Sequence, residues 1–163
     1  MNNQPNKEHE LPVALNPDCE AARLFKTFAR FEYALKAAGF HRGDGDAQPD
    51  WTTFAESIAK DCDSLNDSAF HTARTYFATR PPKKQIVRNG VLEWAEKPVS
   101  GNSEADPILL YVRRVRNNLF HGGKFNGRWF EPQRSAEFIR HSVAILDACR
   151  DLSADVRVAF EQE

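Results

Sequence analysis

Asp106-Pro107-Ile108-Leu109-Leu110-Tyr111-Val112-Arg113-Arg114-Val115-Arg116-Asn117-Asn118-Leu119-Phe120-His121-Gly122-Gly123 is the stretch on which the fold turns. Ile108, Tyr111, Val112, Val115 and Leu119 recur at three- and four-residue intervals, the period of a helix with one apolar face. Asp106 before Pro107 is a start signal, since a carboxylate can accept the first free N–H groups and proline suits the first helical position. The Gly pair is a stop signal, because glycine enters the left-handed conformation that ends many helices. His121 then falls at or beside the C-cap, and Asn117, four residues earlier, shares its face if the helix lasts that far. Charge is concentrated here too. Pro107 to Phe130 holds five Arg or Lys and no Asp or Glu, although the whole chain has a net charge of −1, so the remainder sums to −6.

Outward from this run the pattern stays helical. Leu24, Phe28, Phe31, Leu35 and Ala38 mark a helix from about Asp18 to Ala38, ended by Gly39. Asp50 is placed to cap a second helix with Trp51, Phe54, Ile58, Cys62 and Leu65 on one face. Asn66-Asp67-Ser68 interrupts it, and a further helix carries Phe70, Ala73, Tyr76 and Phe77 up to Pro81-Pro82. Gln85–Arg88 and Val91–Trp94 flank Asn89-Gly90, the strongest short hairpin signal. That hairpin needs a surface to lie on, and Trp94 is the residue expected to anchor it. Lys83, Lys84 and Arg88 beside Trp94 would equally suit phosphates and bases of single-stranded RNA. A last helix from about Pro132 to Leu152 turns Phe138, Ile139, Val143, Leu146 and Cys149 inward and leaves His141 on the surface. The expected architecture is all-α: an up-and-down four-helix-type bundle over residues 18–163, with a small β-hairpin insertion at 84–95, after a flexible tail over 1–17.

An Arg and a His beside a phosphate have a definite chemistry. Neutral imidazole can take the proton of a ribose 2′-hydroxyl, whose oxygen attacks the adjacent phosphorus while a guanidinium steadies the crowded anionic transition state. The leaving 5′-oxygen also needs an acid, and one chain supplies one such His; a two-fold dimer would supply two. The plain alternative is that basic residues and a His at a helix C-terminus simply complement the helix dipole.

Arg116-Asn117-Asn118-Leu119-Phe120-His121 followed by Gly122-Gly123 resembles the signature of the HEPN superfamily, small all-α domains of prokaryotic toxins, anti-phage systems and RNA-processing enzymes. Phe28-Ala29-Arg30-Phe31-Glu32-Tyr33-Ala34-Leu35-Lys36 is also similar to the first helix of a plasmid- and defence-associated branch, and the resemblance spans roughly residues 18 to 152. It implies a metal-independent endoribonuclease, acting as a homodimer on single-stranded RNA, with Arg116 and His121 catalytic, Asn117 supporting them, and no cofactor or metal. Arg113, Arg114, Lys124 and Arg128 would then attract the RNA backbone without reading bases. An antitoxin or regulatory protein is a further partner that the resemblance implies. In the branch regulated by adenylylation of a Tyr two residues after the His, this chain has Gly123, which offers no acceptor.

Length and composition agree with one domain: 163 residues, 41% hydrophobic and 28% charged, are enough for a single core. Cys19, Cys62 and Cys149 are too far apart for a zinc ligand pair and suit reduced thiols. The first seventeen residues are polar and broken by proline, and no apolar run approaches a membrane span, so a cytoplasmic location is expected. Two alternatives stay open: a catalytically silent module of the same fold that binds RNA or protein, and a helical interaction domain whose dimer seam is its whole role.

Overall fold

The computed structural model describes residues 17–101, 103, 105–120, 124–125, 128–129 and 132–162. The expected tail, except Pro17, therefore lies outside the described residues. Among the described residues, six helices, a small antiparallel hairpin and a second, two-residue antiparallel pair make up an all-α fold: α1 Pro17–Ala37, α2 Trp51–Ser64, α3 Ser68–Thr79, the hairpin strands β1 Lys84–Arg88 and β2 Val91–Ala95, α4 Ala105–Phe120, the paired strands β3 Lys124–Phe125 and β4 Arg128–Trp129, α5 Pro132–Asp151 and α6 Ala154–Glu161. Helix α5 packs against α1, α3, α4 and α6, while α2 lies on α4.

Local signals set the boundaries. Asp18 and Glu20 in the first turn of α1 complement its dipole. At the other end Phe40 N–H reaches the Leu35 carbonyl at 2.8 Å and Gly39 N–H the Lys36 carbonyl at 3.2 Å. Gly39 has φ 89, so this is a Schellman turn that a residue with a Cβ would strain. Asp50 caps α2 as expected: its Oδ1 accepts from Thr53 N–H at 3.1 Å and its Oδ2 from the Thr53 hydroxyl at 2.9 Å. Asp67 caps α3 in the same way, accepting from Phe70 N–H at 2.8 Å, which explains why the Asn-Asp-Ser interruption separates two helices. The start of α4 differs from the sequence reading. The helix begins at Ala105, so Asp106 lies inside the first turn and is buried, and the Ser103 hydroxyl accepts the Asp106 N–H at 3.3 Å.

The core is built on aromatic contacts. Phe31 stacks on Trp51 with ring centroids 5.3 Å apart and meets Phe54 edge-on at 5.5 Å, while Phe77 stacks on Tyr111 at 6.0 Å. Cys62 and Cys149 meet within this core, and their contact together with burial pushes the Cys149 thiol well up.

Two corrections concern the C-terminal part and the hairpin. Helix α6 was not expected. Ser153 starts it only two residues after α5 ends, accepting from Val156 N–H. It buries Val156 and Ala159, and Phe160 carries the guanidiniums of Arg30 at 5.1 Å and Arg150 at 5.0 Å over its ring. Arg30 also donates to the Phe160 carbonyl at 2.6 Å, tying α1 to α6. The hairpin forms as expected about Asn89 (φ 50) and Gly90 (φ 77), with Val87 opposite Leu92 and Gln85 opposite Trp94. Trp94 does not anchor it: the residue is 37% exposed and outside the core. The attachment is polar instead. Arg114 Nη1 donates to the carbonyls of Pro82 at 3.1 Å and Lys97 at 2.6 Å, one on each side of the hairpin, and Asn118 Nδ2 donates to the Lys83 carbonyl at 2.8 Å.

Candidate active site

The last turn of α4 presents Arg116, Asn117 and Phe120. Arg116 Nη1 donates to the Asn117 Oδ1 at 3.0 Å, and its guanidinium lies 5.2 Å from the ring centroids of both Phe28, on α1, and Phe120. A planar cation over aromatic faces gains from the ring quadrupoles while keeping edge N–H groups for a ligand. The side chain is therefore held in place on two sides by apolar rings and at one nitrogen by a neighbouring amide. Asn117 itself is exposed. Phe120 is the last residue of α4; His121, which follows it, lies outside the described residues. The expected persistence of the helix to His121 therefore rests on the sequence.

The four cations expected to draw in RNA are not equivalent. Arg113 is half-buried with its guanidinium 5.7 Å from the Trp51 ring centroid. Burial lowers its pKa, Glu32 and Asp106 oppose that, and Arg42 adds to it; an Arg side chain stays charged regardless. Arg114 is the hairpin clamp already described and rests over the Tyr111 ring at 5.4 Å; burial lowers its pKa as well. Both guanidiniums thus make contacts within the protein, as Arg116 does with Asn117, Phe28 and Phe120. Lys124 and Arg128 sit in the antiparallel pair β3–β4, opposite Trp129 and Phe125 respectively; their side chains lie outside the described residues. The structure brings Arg116 and Asn117 together and turns Arg114 and Asn118 toward the hairpin.

Aromatic residues around Arg116 were missed from sequence because their neighbours lie on different helices. Phe25, on α1, meets Phe120 with centroids 5.5 Å apart, and the two are 53% and 50% exposed. A hint was available: Phe25 breaks the inward stripe of α1, and an apolar aromatic off the stripe asks for a partner. His141 was also misjudged. Its ring centroid is 4.4 Å from that of Tyr76, and burial lowers its pKa, with Glu137 opposing. Tyr76 donates to Glu137 Oε2 at 2.9 Å. Among the described residues, no group of three or more His, Cys, Asp or Glu is placed to hold a metal ion.

No protein-family model, curated protein or solved structure matches this chain.

Proposed function

We propose that the chain is a HEPN-type endoribonuclease that cuts single-stranded RNA without a metal, as a homodimer with an up-and-down four-helix-type core, in the cytoplasm, as a toxin or anti-phage effector. The observation that carries this reading is the Arg116–Asn117 pair, fixed by a 3.0 Å hydrogen bond and two aromatic rings on the turn that leads into His121. In the reaction, His121 takes the 2′-hydroxyl proton, the 2′-oxygen attacks phosphorus, and the P–O5′ bond breaks. The His121 of a second copy protonates the leaving oxygen. Arg116 stabilises the anionic phosphorane, and Asn117 orients Arg116. Products end in a 2′,3′-cyclic phosphate and a 5′-hydroxyl. An antitoxin or regulatory protein is the partner that would restrain the enzyme.

The test is incubation of wild type and His121→Ala with mixed single-stranded RNA in excess chelator, followed by analysis of product ends. Cyclic phosphate ends from wild type alone support the assignment; equal cleavage by both proteins would sink it. A second reading, a catalytically silent binding module, draws on the hairpin, where Val87 (69% exposed), Leu92 (63%) and Trp94 form one uncovered face. It expects binding of RNA or protein with no cut product from either form.

A further inference from the structure

Two half-exposed phenylalanines from separate helices, in ring contact with each other and with one of them under a guanidinium, form an unusual surface. Phe25 and Phe120 present ring area to solvent at a 42° tilt, 5.5 Å apart, and Arg116 sits 5.2 Å over Phe120. The charge in contact with this surface is the Arg116 guanidinium. Of the other cations on α4, Arg113 is turned to Trp51 and Arg114 to the hairpin, and on α1 Asp18 and Glu32 lie seven residues to either side of Phe25. Arg30 is engaged by Phe160, but Arg23 and Lys26 are exposed on either side of Phe25 in the sequence of α1. Aromatic rings and Arg also suit a seam between proteins, but Lys is depleted at the centre of one, and Lys26, next to Phe25 in α1, is exposed. Exposed aromatic rings beside a guanidinium are what a single-stranded polyanion with flat bases requires, since a phosphate pairs with the cation and a base lies on the ring.

We propose that Phe25 and Phe120 form a stacking platform for one nucleobase of single-stranded RNA, placing the adjoining phosphate at Arg116. This rests on the reading of the chain as a ribonuclease and adds binding residues that its sequence signature does not contain. Stacking is tolerant of base identity, so the platform sets where the strand lies more than which sequence it has. Phe28, buried, and Phe120 both lie against the guanidinium, so a phosphate would meet Arg116 at its N–H edge.

The experiment uses the full chain carrying His121→Ala, to prevent cutting, and short single-stranded RNA with a fluorescent adenine analogue at one position or an abasic site there. Phe25→Leu and Phe120→Leu keep apolar bulk and remove the ring faces, and Phe120→Tyr restores one. The expected result is about tenfold weaker binding for each Leu variant, about 1.4 kcal/mol. Fluorescence quenching is lost, Tyr retains both, and no Leu effect remains on the abasic strand. Unchanged affinity and quenching in the Leu variants overturn the proposal. So does a shift of the Leu variants from dimer to monomer in sedimentation with the base-dependent signal intact, which would make the ring pair a seam between copies. Cleavage by the protein with His121 restored separates this from the broader reading. A platform that binds while wild type fails to cut defeats the ribonuclease assignment alone, whereas a wild type that cuts while the Leu variants bind normally defeats the platform alone.

Discussion

Arg114 and Asn118, one turn apart on α4, grip opposite approaches to the same hairpin: Arg114 reaches the carbonyls of Pro82 and Lys97, and Asn118 reaches that of Lys83. Charged donors to carbonyls contribute about 1.5–3 kcal/mol when sheltered, and less when water competes as it does here. Arg114→Ala combined with Asn118→Ala is expected to free the hairpin while the helices stay folded. Amide exchange should rise at least about tenfold between Lys83 and Lys97 with the exchange of α5 unchanged. Uniform acceleration through every helix would instead show the clamp to be part of the core.

Arg116→Lys conserves charge but loses the plane that lies over Phe28 and Phe120 and the fork that meets a phosphate. The expected outcome is a loss of about 100-fold or more in kcat for RNA cleavage, with the melting temperature within about 2 °C of wild type, corresponding to a surface-scale change. Full activity in the Lys variant would remove Arg116 from the transition state.

Much of the fold was legible because its boundaries are written in neighbouring residues. Asp50 and Thr53, Asp67 and Phe70, Gly39 after Leu35, and Asn89-Gly90 are all contacts within a few positions, which spacing can reveal. Helix α6 escaped because eight residues after a two-residue break are too short to show a period, and its hold on the bundle runs from Phe160 to Arg30 and Arg150. Trp94 was expected to hold the hairpin because apolar bulk is the usual glue. A guanidinium bonded to carbonyls 17 and 32 residues away does the holding, and no spacing rule predicts such partners. The pairing of Arg116 with Asn117 was readable from the motif; the rings of Phe25, Phe28 and Phe120 around it required three-dimensional neighbours.

The cap of α2 gives a pH-dependent term whose sign follows from its bonds. Hydrogen bonds from Thr53, first its backbone N–H and then its hydroxyl, hold the Asp50 carboxyl below its usual range. A lowered folded-state pKa stabilises above the unfolded value and is lost as pH falls through the folded one. Asp50→Ala should cost about 1 kcal/mol near neutral pH, a gap that narrows below about pH 4. Asp50→Asn, which caps without titrating, should keep a pH-independent margin over Ala. Urea unfolding of the three proteins across this range is the measurement, and a gap that widens in acid would refute the sign.

At the alkaline end Tyr76 is the responsive group. Burial first, then the hydrogen bond and charge of Glu137, push its phenol up to about 12, against the pull of Arg134 and Arg80. The raised value means that the contribution is complete below about pH 10, where the unfolded tyrosine is still protonated, and disappears as pH climbs through the folded value. Ultraviolet titration should show a late tyrosine step, and Tyr76→Phe should abolish it. A Tyr76 phenol that ionises near the ordinary value would contradict the Tyr76–Glu137 bond.

The tie between Arg30 and Phe160 also has a meaning in time. The two residues are separated by 130 positions, so on a ribosome adding about 5–20 residues per second α1 waits roughly 6 to 26 s for α6 to be synthesised. During that wait the ring that receives Arg30 does not yet exist, and the first helix must rely on whatever nascent neighbours are already out. The helix that brings Phe28 to Arg116 thus gains this tie only after Arg116 itself has been made.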